Sequence, residues 1–148
     1  MSVEKSRAEI EYLLSRYGAS AFAYAVDGER AMLQFRVDNR MVRMMIRLPD
    51  RTEKRFACTK IRKSARSKED AHRAWEQECR RLWRSLALLV KAKLEACASK
   101  ISTVEREFLA DILLPDGGTV GERLTPQLEA AYTNGRMPAL LGMAAEEN

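Results

Sequence analysis

From Val3 to Tyr17 apolar residues return every three or four positions, and Ile10, Leu13, Leu14 and Tyr17 would line one side of a helix. Ser6 followed by Glu9 has the form of a capping box, and Gly18 supplies the stop. After Gly18 the period drops to two, which is the spacing of a strand with one buried face. Phe22, Tyr24 and Val26 alternate with alanines. Leu33, Phe35 and Val37 alternate with Met32, Gln34 and Arg36, and Val42, Met44, Ile46 and Leu48 alternate with Met41, Arg43, Met45 and Arg47. Asp27-Gly28 and Asp38-Asn39 stand where tight turns belong. The pattern predicts a helix followed by a three-stranded antiparallel meander. One face of this sheet is apolar; the other gathers Gln34, Arg36, Arg43 and Arg47 among Met32, Met41 and Met45.

Pro49 ends the third strand, and the stretch from Arg51 to Lys68 reads as a loop or as a short fourth strand in RFACTKI, with Phe56 and Ile61 as its large apolar anchors. Ser67 and Asp70 form an N-cap pair that opens the longest helix, Lys68 to Ser99. Its stripe is Trp75, Cys79, Leu82, Leu86 and Leu89, extended by Val90, Leu94 and Cys97. At 1.5 Å per residue this helix is about 45 Å long, wider than a small domain, so it either bends or packs its end on a partner. Ser102 with Glu105 caps a short helix carrying Phe108, Leu109, Ile112 and Leu113, and Pro115-Asp116-Gly117-Gly118 makes a turn. Thr119 to Glu122 is too short to assign. Thr125-Pro126 opens a helix through Leu128, Ala131 and Tyr132 to Asn134-Gly135. The order α-β-β-β-α-α-α gives an α+β fold class with helices over one face of a small sheet. A single domain, 1–148, would comprise a helix plus meander (1–50), a basic connector (51–68), a helical part (68–136) and an acidic tail (137–148).

With 46% hydrophobic and 32% charged residues, the chain has the balance of a folded globular protein rather than a disordered one. Apolar runs such as Leu86 to Val90 are far too short for a bilayer, so no membrane partner is expected. Acids near the N-terminus and the lack of an apolar leader segment point to a cytoplasmic location. Cys58, Cys79 and Cys97 are odd in number, contain no CxxC pair and have only His72 as a possible companion. Reduced thiols are expected, with no disulfide framework and no zinc site. Charge is unevenly spread: residues 1–50 hold eight bases and seven acids, 51–100 fifteen and six, and 101–148 three and eight. A strongly basic middle of this kind faces a polyanion, or neutralises the acidic end within the fold or across a dimer.

The basic connector concentrates the signal, with eight Lys/Arg against Glu53 alone. The expected phosphate ligands are Arg51, Lys54, Arg55, Lys60, Arg62, Lys63, Arg66 and Lys68, helped by Arg36, Arg43 and Arg47 on the sheet. Arg grips phosphate bidentately and stacks on planar groups, although a solvated sheet face would look the same. Arg73, Arg80, Arg81 and Arg84 on the long helix would prolong the patch. The α-β-β-β-α order is also that of double-stranded RNA binding domains, but Glu69 and Asp70 stand where their clustered lysines would be, so the similarity is one of topology.

Catalytic signals are thin. His72 has Asp70 and Glu76 near it, a spacing that more often marks a solvated helix face than a catalytic or metal site. Glu105, Glu107 and Asp111 could be imagined around Mg²⁺, yet dipole complementation at a helix start accounts for the first two. The Gly117 to Gly121 loop lacks the Lys-Ser/Thr of a phosphate-cradling loop. No catalytic residue, metal or cofactor is expected.

Three runs near the end, WRSLALLVKAKLEA (Trp83 to Ala96), STVEREFLADILLPDGGTVGE and PQLEAAYTNGRMPALL, resemble small uncharacterised proteins encoded by tailed phages and prophages. The resemblance covers the last two-fifths of the chain and brings no activity with it. It implies expression in a bacterial host and a role in phage DNA metabolism or against host defence. The expectation is thus a non-enzymatic phage-type protein that binds a polyanion, nucleic acid first. The alternative is an inhibitor of antiviral defence that binds a host protein or sequesters a nucleotide signal. The apolar stripe with Trp75 and Trp83 suits a homodimer.

Overall fold

The computed structural model describes residues 2–59 and 64–138. Helix α1 (Val3–Arg16) is capped by Ser2, whose Oγ accepts from the Lys5 amide at 3.1 Å. The expected cap at Ser6 is therefore wrong. The backbone is already helical at Val3, and Ser6 is turned into the buried side of the helix. Three strands follow, β1 (Ser20–Asp27), β2 (Arg30–Val37) and β3 (Arg40–Arg47), in the antiparallel order β1-β2-β3. Asp38 and Asn39 both take left-handed φ, 48° and 59°, as a two-residue hairpin turn of the primed type requires. The first hairpin closes one residue later than the Asp27-Gly28 pair: Asp27 faces Arg30, leaving Gly28-Glu29 as the loop.

Cross-strand partners bear out the two faces. Leu33 lies between Tyr24 and Met44, and Phe35 opposite Val42, on the covered side. Ala25, Met32 and Met45 form one row on the other side, and Ala23, Gln34 and Arg43 the next. Helix α3 (Lys68–Ala98), 31 residues long, packs with α1 over the apolar face. Its buried stripe is Cys79, Trp83, Leu86, Ala87, Val90 and Leu94. Leu89, expected in that stripe, is half exposed; the helix is rotated so that the larger Trp83 is buried in the core. The Trp83 ring lies 6.2 Å from the Tyr24 ring and beneath the Arg7 guanidinium at 4.6 Å. An indole buried to this extent dominates the packing of its layer.

Between β3 and α3 the chain makes one helical turn, α2 (Lys54–Ala57), in place of the fourth strand suggested by RFACTKI. The Asp50 side chain holds the Thr52 amide at 2.8 Å and the Glu53 carboxylate holds the Asp50 amide, a local turn that starts a helix rather than an extended run. After α3 the cap of α4 (Val104–Glu107) is Thr103, not Ser102, because Thr103 is the extended residue whose hydroxyl reaches the Arg106 amide. A 3-10 turn (Leu109–Asp111) then leads Ile112 and Leu113 onto the free edge of β3, where the Leu113 amide donates to the Met41 carbonyl at 2.8 Å. Phe108 meets Phe35 edge to face at 5.6 Å and joins this segment to the core.

The last helix, α5 (Val120–Asn134), begins six residues before the position expected from Thr125-Pro126. Thr119 and Glu122 make a complete capping box, and Pro126 is carried inside the helix at the loss of a single amide donor. The helix ends at Gly135 in the left-handed region, as expected. Gly121 packs so tightly on the 3-10 turn that a Cβ there would lie 2.9 Å from the Ala110 carbonyl oxygen. Beyond Leu124 the helix leaves the core, and Leu128, Tyr132 and then Met137 are exposed. Among the described residues no helix is long and apolar enough to cross a membrane.

Candidate functional site

The connector folds over the first half of α3. Phe56 is buried there yet lies outside the main core cluster, so it anchors a separate apolar contact between α2 and α3. Cys58 bridges Ala65, and the Arg66 amide donates to the Ala57 carbonyl at 2.7 Å, making a small hairpin. The expected phosphate ligands Lys60, Arg62 and Lys63, with Ile61, lie outside the described residues. Trp75 ties the other end of the connector down. Its indole N–H donates to the Pro49 carbonyl at 2.7 Å, and the Arg51 guanidinium sits 4.2 Å over its ring.

Between the connector and α3 runs an open groove of about 490 Å³. Arg55, Phe56 and Arg66 form one wall, and Ala74, Gln77, Glu78, Arg80, Arg81 and Arg84 of α3 the other. Five guanidiniums face one carboxylate, so the groove is net positive. Glu78 receives a two-pronged contact from Arg81, 2.9 Å from Nε and 2.6 Å from Nη2, and stands 3.7 Å from Arg55. That hydrogen bond pushes the Arg81 pKa up, so its charge is permanent. Arg80 stands 3.8 Å from Glu76, and Arg66 donates to the Phe56 carbonyl at 3.4 Å. Arg84 makes neither an ion pair nor a hydrogen bond among the described residues.

The structure divides the eleven cations expected from sequence. Arg55 and Arg66 line the groove. Arg47 joins Arg55 and Glu78 in an adjoining recess of about 440 Å³, together with Glu29 and Glu53. Lys54 and Lys68 are exposed at helix starts, and Arg51 is engaged with Trp75. Arg43 points from the opposite sheet face toward Gln34 and the Gly117 carbonyl. Arg36 pairs with Met41, six residues along β3 from Arg47 and thus about 20 Å away. The sheet arginines therefore do not extend one continuous patch. In their place Arg80, Arg81 and Arg84 complete the groove. The signal was present in the sequence: three arginines within five residues, and Arg80 and Arg84 at the i, i+4 spacing that shares a helix face.

Elsewhere the polar groups have local roles. His72 Nε2 lies 2.8 Å from Glu76, and its ring stacks on Trp75. Glu105 pairs with Arg40, and burial raises the Asp111 carboxyl pKa. Lys93 donates to the Glu107 carbonyl beside the Phe108 ring. No group of three or more His, Cys, Asp or Glu among the described residues is arranged to hold a metal ion. The three cysteines are free thiols, and burial pushes Cys79 and Cys97 above the ordinary thiol range, away from the reactive thiolate.

No protein-family model, curated protein or solved structure matches the chain. The chemistry of the groove thus stands on its residues alone: guanidinium forks on a helical wall, suited to the tetrahedral oxygens of phosphate groups.

Proposed function

We propose that this is a binding protein of phage type whose ligand is a polyanion, with nucleic acid as the intended partner, held in the arginine groove between the connector and α3. The observation that carries this reading is the convergence of Arg55, Arg66, Arg80, Arg81 and Arg84 on one open channel against the single carboxylate of Glu78. From Ala74 to Arg84 the helix advances about 15 Å, the axial distance over which one strand of a duplex presents about four phosphates. A groove lined over that distance by arginines offers successive cations to a chain of phosphates. Neutralising them releases condensed counterions, which is the main source of sequence-independent affinity for nucleic acid.

The test is fluorescence anisotropy with labelled 12-nucleotide single strands and duplexes across a salt series. The expected result is affinity that falls with salt at a log–log slope of about −3, and a drop of about fivefold for each of Arg80→Gln and Arg84→Gln with the slope reduced by about one unit each. Binding indifferent to salt, or to both substitutions, overturns the reading.

A second reading is favoured by the exposed large apolar side chains near the C-terminal end: Leu128 and Tyr132 on α5, Met137 beyond it, and Leu109 in the 3-10 turn. Such a surface suits a protein partner, whether a host defence component or a second copy. Native mass spectrometry of the protein from bacterial cells distinguishes these: a complex that survives moderate salt supports a protein target, and a doubled mass supports a homodimer.

A further inference from the structure

Resting on the groove reading above, we propose that Glu78 is an internal competitor for the anion, occupying the Arg81 fork that a ligand phosphate would otherwise take. The groove then admits a ligand that offers several phosphates at once and turns away a single one.

Glu78 is not a surface charge. Its side chain is only 19% exposed, while that of Arg81 is 53% exposed and that of Arg55 is 50% exposed. Both Glu78 carboxylate oxygens are used by the Arg81 fork, at 2.6 and 2.9 Å, in the same two-pronged geometry with which guanidinium binds phosphate. The carboxylate also lies on both the groove and the adjoining recess, on the partition between them. Arg55 leans toward it at 3.7 Å while pairing with Glu53 at 2.6 Å. Two of the five groove guanidiniums are thus already engaged, Arg81 by Glu78 and Arg55 by Glu53 of the recess and more loosely by Glu78, and Arg80 is loosely held by Glu76. Arg66 and Arg84 are left without a carboxylate partner among the described residues. An incoming single phosphate meets a site whose best fork is filled. A phosphate chain already held by Arg66, Arg84 and Arg80 presents its next phosphate to Arg81 at high local concentration and displaces the carboxylate.

The experiment compares the full-length protein with Glu78→Gln, Arg81→Gln, Arg84→Gln and the Glu78→Gln/Arg81→Gln double variant. The probes are a labelled 12-nucleotide single strand and AMP at 100 mM salt, with circular dichroism and thermal melting confirming the fold. The oligonucleotide should bind Glu78→Gln at least tenfold tighter, and AMP should become a measurable ligand of that variant alone. Removing Arg81 should cost under threefold in the otherwise unaltered protein but at least tenfold in the Glu78→Gln background. A comparison that involves no Glu78 variant guards against a folding defect there: Arg84→Gln should weaken binding more than Arg81→Gln does. Equal or weaker binding by a folded Glu78→Gln, or a larger loss from Arg81→Gln than from Arg84→Gln, overturns the competitor role. If the unaltered protein binds no oligonucleotide, the groove reading itself fails. If it binds with salt dependence while Glu78→Gln gains nothing, only the competitor role fails.

Discussion

The two halves of α3 belong to the same helix and live in different environments. From Trp83 to Leu94 it buries an aromatic ring and aliphatic side chains against the sheet and α1; from Lys68 to Glu78 it buries none of its residues and is covered by the connector around one phenylalanine. The helix is continuous, so the difference lies in what packs on it. The C-terminal half is fixed by contact with a large core, and the charge of the groove is displayed where the two halves meet, from Glu78 to Arg84. A binding wall thus gains rigidity from a core it shares, since Cys79 and Trp83 of the same stretch are buried in it and Trp75 packs against it.

The largest effect that separates the halves is expected from Trp83→Ala. Deleting a fully buried indole should cost about 3–5 kcal/mol of unfolding free energy in urea, with the groove lost as the whole chain unfolds. Phe56→Ala sharpens the contrast. Phe56 is buried outside the main core cluster, so global stability should fall by only about 1–2 kcal/mol while oligonucleotide affinity drops about tenfold. If this variant unfolds as cooperatively and as far as Trp83→Ala, the two regions are one unit and the comparison breaks. The smallest effect is in alkaline solution. The Tyr24 hydroxyl donates to the Arg7 carbonyl at 3.1 Å, and burial raises its pKa from 10.0 to about 12. A raised phenol favours the folded state in its neutral form, so this contribution is complete below about pH 10 and is lost as pH rises through about 12. Tyr24→Phe should flatten that decline in a pH series of urea unfolding curves, leaving groove affinity at neutral pH unchanged.

Much of the dry part of the molecule was legible in the sequence. The meander is written in strict alternation with turn residues between, and the pairing of Phe35 with Val42 and Leu33 with Met44 follows from it. The phase of α3 was harder: Leu82 and Leu89 sit on a stripe that periodicity alone favours, and only the volume of Trp83 in a three-dimensional core selects the other phase. Caps slipped because the chain offers neighbouring hydroxyls. Ser2 and Ser6, or Ser102 and Thr103, differ only in which backbone is extended, and Thr125-Pro126 imitates a helix start inside a helix begun by a better box. The site was legible in half. Density of charge found Arg55 and Arg66. The partner wall was legible as the flank of Arg73, Arg80, Arg81 and Arg84 that would prolong the patch, but nothing local to the connector says that it folds back onto the last three rather than along the arginines of the sheet.

The satellite seat of Phe56 also bears on timing. Amide exchange should be slowest through Val90 and Leu94 and much faster from Lys54 to Ala57, because opening the connector exposes one ring and a few backbone bonds and leaves the core closed. One wall of the channel is then stationary while the other opens and recloses many times for each global unfolding event, so a long phosphate polymer can settle sideways into the channel instead of threading from an end.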